Sequence, residues 1–141
     1  KALANTKLTG SDVFYKNYFA AVKAHGNNEI EIEQTYLEKA YFEIPFYEPF
    51  GLQIVEFFNQ TNPEKAYDYS AKVLSFNRGS LAYNLQFIDL ALANGDMFYA
   101  DATLKSIQQL ELLSDQDFAA YEILYEQKKD AAVEKITTDW E

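Results

Sequence analysis

Residues that stop helices recur along this chain at a nearly even interval, and that rhythm limits the fold more than any other feature. Gly10-Ser11, Gly26-Asn27-Asn28, Pro45 to Pro49, Thr61-Asn62-Pro63, Gly79-Ser80, Asn94-Gly95-Asp96 and Ser114-Asp115 cut it into pieces of similar length. Several of these breaks carry the chemistry of a helix end. Asn62 can cap a helix that starts at Pro63, where the missing N–H costs nothing, and the helix dipole favours Glu64 in its first turn. Gly79 and Gly95 suit the left-handed position after a helix, and Ser80 and Asp96 can then cap the next one. Ser114 with Asp117 makes an imperfect capping box.

Between the breaks, apolar side chains fall at helical spacing. Phe50, Ile54, Phe57 and Phe58 share one face, as do Ala100, Leu104 and Ile107. The alternating "EIEIEQ" at 29–34 resembles a strand, but a lone short strand among helices has nothing to pair with. It reads instead as the acidic first turn of a helix. Eight short helices are expected, near 11–25, 28–43, 47–60, 63–78, 81–93, 97–112, 115–127 and 129–139, after an N-terminal extension over 1–10. Residues 81–92, "LAYNLQFIDLAL", are apolar nearly all round, which requires burial on more than one side.

The helices also repeat in pairs. Ala40, Val73 and Ile107 align at spacings of 33 and 34 residues, and Ala66, Ala100 and Ala132 at 34 and 32. "NGDMFYADATLKSI" (94–107), "NPEKAYDYSAKVL" (62–74) and "YLEKAYFEIP" (36–45) carry the turn, the small alanine or the closing proline. With a period near 34, this resembles the tetratricopeptide repeat. The first-helix tryptophan of that family is replaced by Asn17, Phe50, Asn84 and Gln116. The resemblance implies an all-α fold over 11–141, a short α-α superhelix (solenoid) of antiparallel helix pairs with about 3.5–4 repeats.

Chemistry is scarce in the sequence. The single histidine, His25, precedes Gly26 at an expected helix end, where a cation suits the dipole. Glu29, Glu31 and Glu33 match no cation-binding loop and read as a solvated face. There is no glycine-rich phosphate loop, no H-E-x-x-H and no G-x-S-x-G, and no cysteine for redox chemistry or thiolate ligation. No catalytic residue, metal or cofactor is expected. A net charge of −10 makes nucleic acid a poor partner. No apolar run is long enough for a membrane span, so a soluble protein is expected, its compartment open. A chain that starts at Lys1 rather than Met reads as a processed product or a piece of something longer.

What remains is a surface. In the resembled family the first helices of successive units line a groove that takes peptides or partner helices. Carried onto this sequence, the groove is Tyr15, Tyr18 and Val22, then Val55 and Phe58, then Leu85, Asp89 and Leu92, then Asp117, Tyr121, Leu124 and Tyr125. The lysines and asparagines with which some members clamp a C-terminal carboxylate are replaced by Tyr18, Gly51, Leu85 and Asp117. The resemblance therefore implies a non-enzymatic scaffold for an apolar or basic protein segment. A pocket enclosed by the aromatics for a small ligand, and a spacer module of a larger enzyme or envelope protein, are the alternatives.

Overall fold

A computed structural model describes residues 10–45 and 47–140, and among them there is no strand. Seven helices follow one another: α1 (Gly10–Gly26), α2 (Ile30–Glu43), α3 (Glu48–Thr61), α4 (Pro63–Phe76), α5 (Leu81–Ala93), α6 (Met97–Gln109) and α7 (Asp115–Trp140). The extension assigned to 1–10 lies outside the described residues except for Gly10, which opens α1. The helices form antiparallel pairs, α1 with α2, α3 with α4 and α5 with α6, and α7 adds a half-repeat. The second helices begin at Ile30, Pro63 and Met97, spacings of 33 and 34 residues. From α3 onward the first helices keep the same beat, starting at Glu48, Leu81 and Asp115.

The expected break at "QKKDAA" does not exist, so there are seven helices and not eight. That stretch holds no proline or glycine, and its lysines and alanines favour a helix. The continued helix also makes tertiary contacts. Lys129 Nζ donates to Asp101 Oδ1 and Oδ2 at 3.1 and 3.0 Å, and the Tyr125 hydroxyl donates to the same carboxylate. Ala132 packs on the core, and Ile136 lies over Gly95. Burial pushes the Asp101 carboxyl up, but the bonds from Tyr125 and Lys129 outweigh it and hold the group below its ordinary range.

The alternating segment at 29–34 is helical from Ile30, as expected. Glu33, however, does not face solvent. At 100° per residue it falls on the stripe of Leu37 and Ala40, and it is buried, with 8% exposure. Its carboxylate meets His25 Nδ1 at 3.0 Å, so the histidine serves the α1–α2 turn through this bond. Glu29 and Glu31 are exposed.

The chain forms two compact units, residues 1–54 and 55–141, and the division falls inside α3. In the first unit, small Ala21 and Ala24 are buried where α1 and α2 lie close together. The Phe14 ring packs edge-on to Phe50 at 5.0 Å and Tyr47 at 5.6 Å, and stacks on Tyr18 at 5.9 Å.

In the second unit α5 is the central element, packed against α4, α6 and α7. Tyr83, Asn84, Phe87, Ile88, Leu90, Ala91 and Leu92 are all buried, and this accounts for a helix apolar nearly all round. The aligned positions Ala40, Val73 and Ile107 are buried in each unit, as are Ala66 and Ala100. At the end of α3, Phe58 stacks on Tyr69 of α4 at 5.0 Å.

The expected caps form. Asn62 Oδ1 accepts from Lys65 N, Ser80 Oγ from Tyr83 N and Asp96 Oδ1 from Tyr99 N, each at 3.3 Å. Ser114 Oγ accepts from Asp117 N at 3.1 Å. Gly79 does not take the left-handed conformation expected of it; Asn77 closes α4 instead, its side chain donating to Val73 O at 3.2 Å. Gly95 does, with φ +76°, and a Cβ there would stand 3.2 Å from Ile136 Cδ1. Gly95→Ala should therefore lower stability by about 1–2 kcal/mol, from the left-handed backbone alone, as read by urea denaturation.

Candidate functional site: an acidic cleft between first helices

The groove positions taken from the resemblance fall in both units. Tyr15 and Tyr18 belong to the first, where Tyr15 is 46% exposed and Tyr18 half-buried. With Tyr47, Phe50 and Gln53 they line an aromatic recess of about 150 Å³, and Gln53 Nε2 donates to the Tyr18 hydroxyl at 3.5 Å. Val22 is exposed beyond them on α1.

In the second unit, Val55, Phe58, Leu92 and Tyr125 are core side chains, each exposed by 5% or less. Leu85 is half-buried against the same core. Asp89, Asp117 and Leu124 are exposed. The cause is a slip in register. The alignment that pairs Phe50 with Asn84 sets α3 and α5 34 residues apart, whereas the helices start 33 apart. At the observed spacing Ile54 matches Phe87, Val55 matches Ile88, and Phe58 matches Ala91, all buried. Gln53 then matches Gln86 and Glu56 matches Asp89, so the polar face of α3 repeats on α5.

That polar face builds a cleft of about 320 Å³. Val55, Glu56 and Asn59 line it from α3, and Gln86, Asp89 and Leu90 from α5. Each trio uses neighbours within one helical turn, which fall on one side of the helix. Glu56 and Asp89 put two carboxylates on the cleft, and both are exposed. Gln86 Oε1 is buried and accepts no hydrogen bond within the protein. From α7, Lys128 Nζ reaches Asp89 Oδ1 at 2.9 Å. Tyr121 is half-buried and its hydroxyl has no partner. Burial first, and then the negative charge of Asp89, push its phenol up to about 12.

The structure thus brings Val55 and Asp89 to one cleft and sets Tyr121 beside Asp89. It adds Glu56, Asn59 and Gln86, which the sequence reading left out. Their signal was present as the 33-residue recurrence of a glutamine and an acid three residues apart, Gln53/Glu56 and Gln86/Asp89. Chemically the cleft presents hydrogen-bond acceptors under negative charge, a surface suited to ammonium, guanidinium or N–H groups. Among the described residues, no group of three or more His, Asp or Glu is placed to hold a metal ion. No helix among them is long and apolar enough to cross a membrane.

Two outcomes follow for Tyr121. Its folded pKa lies above the unfolded value of 10.0, so its contribution is whole below pH 10 and is lost as the pH climbs toward 12. Alkaline titration followed by circular dichroism should show that loss, on the order of 2 kcal/mol. Tyr121→Phe removes a buried hydroxyl that bonds to nothing. It should leave the protein as stable at neutral pH or up to about 1 kcal/mol more so, and should shrink the alkaline loss.

No family model matches this sequence, and no curated protein or solved structure shows significant similarity to it.

Proposed function

We propose that this chain is a non-enzymatic scaffold of the tetratricopeptide kind. It holds a basic or amphipathic segment of a protein partner against the acidic face of α3, α5 and α7. The cleft of Glu56, Asp89 and the unsatisfied Gln86 carbonyl carries the reading, because a partner that donates hydrogen bonds relieves an acceptor the protein leaves unpaired. Lys128 on Asp89 supports it from within: an ammonium already docks on this face, and both side chains are exposed enough to exchange it for a partner's. The net charge of −10 favours the approach of a basic partner. A receptor for a C-terminal carboxylate is disfavoured, since Asp117 and Leu85 stand where such a clamp would need cations.

The test is fluorescence anisotropy with a labelled, lysine-bearing amphipathic peptide, chosen from partners recovered by pull-down with the isolated chain. The paired variants Glu56→Gln and Asp89→Asn should weaken binding about 5- to 50-fold together, or roughly 1–2.5 kcal/mol. Their melting temperature should hardly change, because the Lys128–Asp89 pair is a surface ion pair worth about 1 kcal/mol or less. Affinity should also fall as salt rises, since exposed charges are screened beyond about 8 Å at physiological ionic strength. An affinity that ignores both salt and the two substitutions would sink the acidic face as the binding surface.

A further inference from the structure

The second unit has a larger cleft on another side of α5, and its chemistry is the opposite of the acidic face. It measures about 530 Å³ and runs between α4 and α6. That lies within the usual range of small-molecule sites, about 300–1,000 Å³. Its floor is apolar, with Phe87 buried and Leu74 half-buried. In a chain with 22 acidic residues, no carboxylate lines it. Arg78, the chain's only arginine, stands at its edge, exposed and in no ion pair among the described residues.

Asn84 points to what would bind. It is 2% exposed on α5, where the corresponding position of α7 holds Phe118. A buried amide in a packing position costs free energy unless its groups are bonded. Its Nδ2 donates to Arg78 O at 2.9 Å and to Ser80 O at 2.7 Å. Both partners are carbonyl oxygens, which fixes the amide's orientation, since only the NH₂ end can meet them. Those bonds also tie down the backbone of Arg78. The Oδ1 atom has no partner in the protein, and Asn84 lines the cleft. Two hydroxyls on the walls have already given up their protons: Ser75 Oγ donates to Lys72 O at 2.6 Å and Thr103 Oγ1 to Tyr99 O at 2.8 Å. Inside, the cleft therefore offers acceptors; at its edge it offers a free guanidinium.

We propose that this cleft binds a small amphipathic carboxylate, its acid at Arg78, an N–H or O–H donor on Asn84 Oδ1, and its apolar group on Leu74 and Phe87. The ligand class follows from the groups left open. Arg78 is suited to a two-pronged carboxylate contact, Asn84 requires a donor, and the floor requires apolar surface. This site is independent of the acidic face, and either can fail without the other.

The test uses the whole chain, labelled with ¹⁵N, and N-acetyl-L-phenylalanine as probe, with its methyl ester as the uncharged control. Titration to millimolar concentration should shift the amide signals of Asn84, Thr103 and Ser106. Arg78→Gln, at an exposed position, should weaken the acid about tenfold or more and leave the ester unaffected. Ala71→Trp, also exposed, should block the cleft mouth and abolish binding without lowering the melting temperature. No saturable shift, equal binding of the acid to wild type and Arg78→Gln, or shifts centred on Glu56 and Asp89 would each overturn the proposal.

Discussion

The burial of α5 on several sides at once is the constraint on which the second unit depends. A helix covered by α4, α6 and α7 can be apolar nearly all round, and this one must be, because few of its thirteen residues reach water. Each neighbour is then free to be amphipathic, with its polar side outward. Seven buried side chains in thirteen positions also leave little tolerance for volume changes, since interiors are packed as densely as crystals. The small residues Ala66, Ala91 and Ala100, all fully buried, mark where backbones approach most closely.

The features that were legible in the sequence are those fixed by local chemistry. Asn62, Ser80, Asp96 and Ser114 announce helix starts because their side chains can satisfy only nearby N–H groups, and each does so. The recurrence of second helices was legible for the same reason. Register on the first helices was not. Ile54-Val55 and Phe57-Phe58 are adjacent apolar pairs, so the buried stripe can be drawn through either member, 100° apart. Sliding by one residue moves Phe58 from the core to the surface on paper. The polar residues Gln53, Glu56, Gln86 and Asp89 settle the register, since they alone cannot be buried cheaply. The extra helix break failed for another reason: Lys129 and Asp130 resemble a surface turn until Asp101, on a different helix, is known to hold Lys129. Glu33 likewise looked solvated until its bond to His25 was visible.

Charge is distributed with some economy across the second unit. Carboxylates crowd the side where α3, α5 and α7 meet, and the side between α4 and α6 has none lining its cleft. Since α5 supplies the floor of both, its two polar residues at these sites, Asp89 and Asn84, differ by one formal charge and define two unlike surfaces on one helix. One faces a single way to water and the other is buried, which is why the two clefts differ in depth as well as in sign.

Asp96 joins two levels of structure in one carboxylate. Its Oδ1 caps the first turn of α6 through Tyr99 N at 3.3 Å, and its Oδ2 accepts the Tyr67 hydroxyl of α4 at 2.8 Å, while the Tyr67 ring stacks on Phe87 at 5.4 Å. Fraying at the start of α6 is therefore not a private event of that helix. To open, the turn must release the phenol that leans on α5, and to release the phenol it must give up half the carboxylate's bonding. Local opening is thereby made cooperative across three helices, and the first-turn amides of α6 belong to the same exchange unit as the α4–α5 contact rather than to a loose helix end.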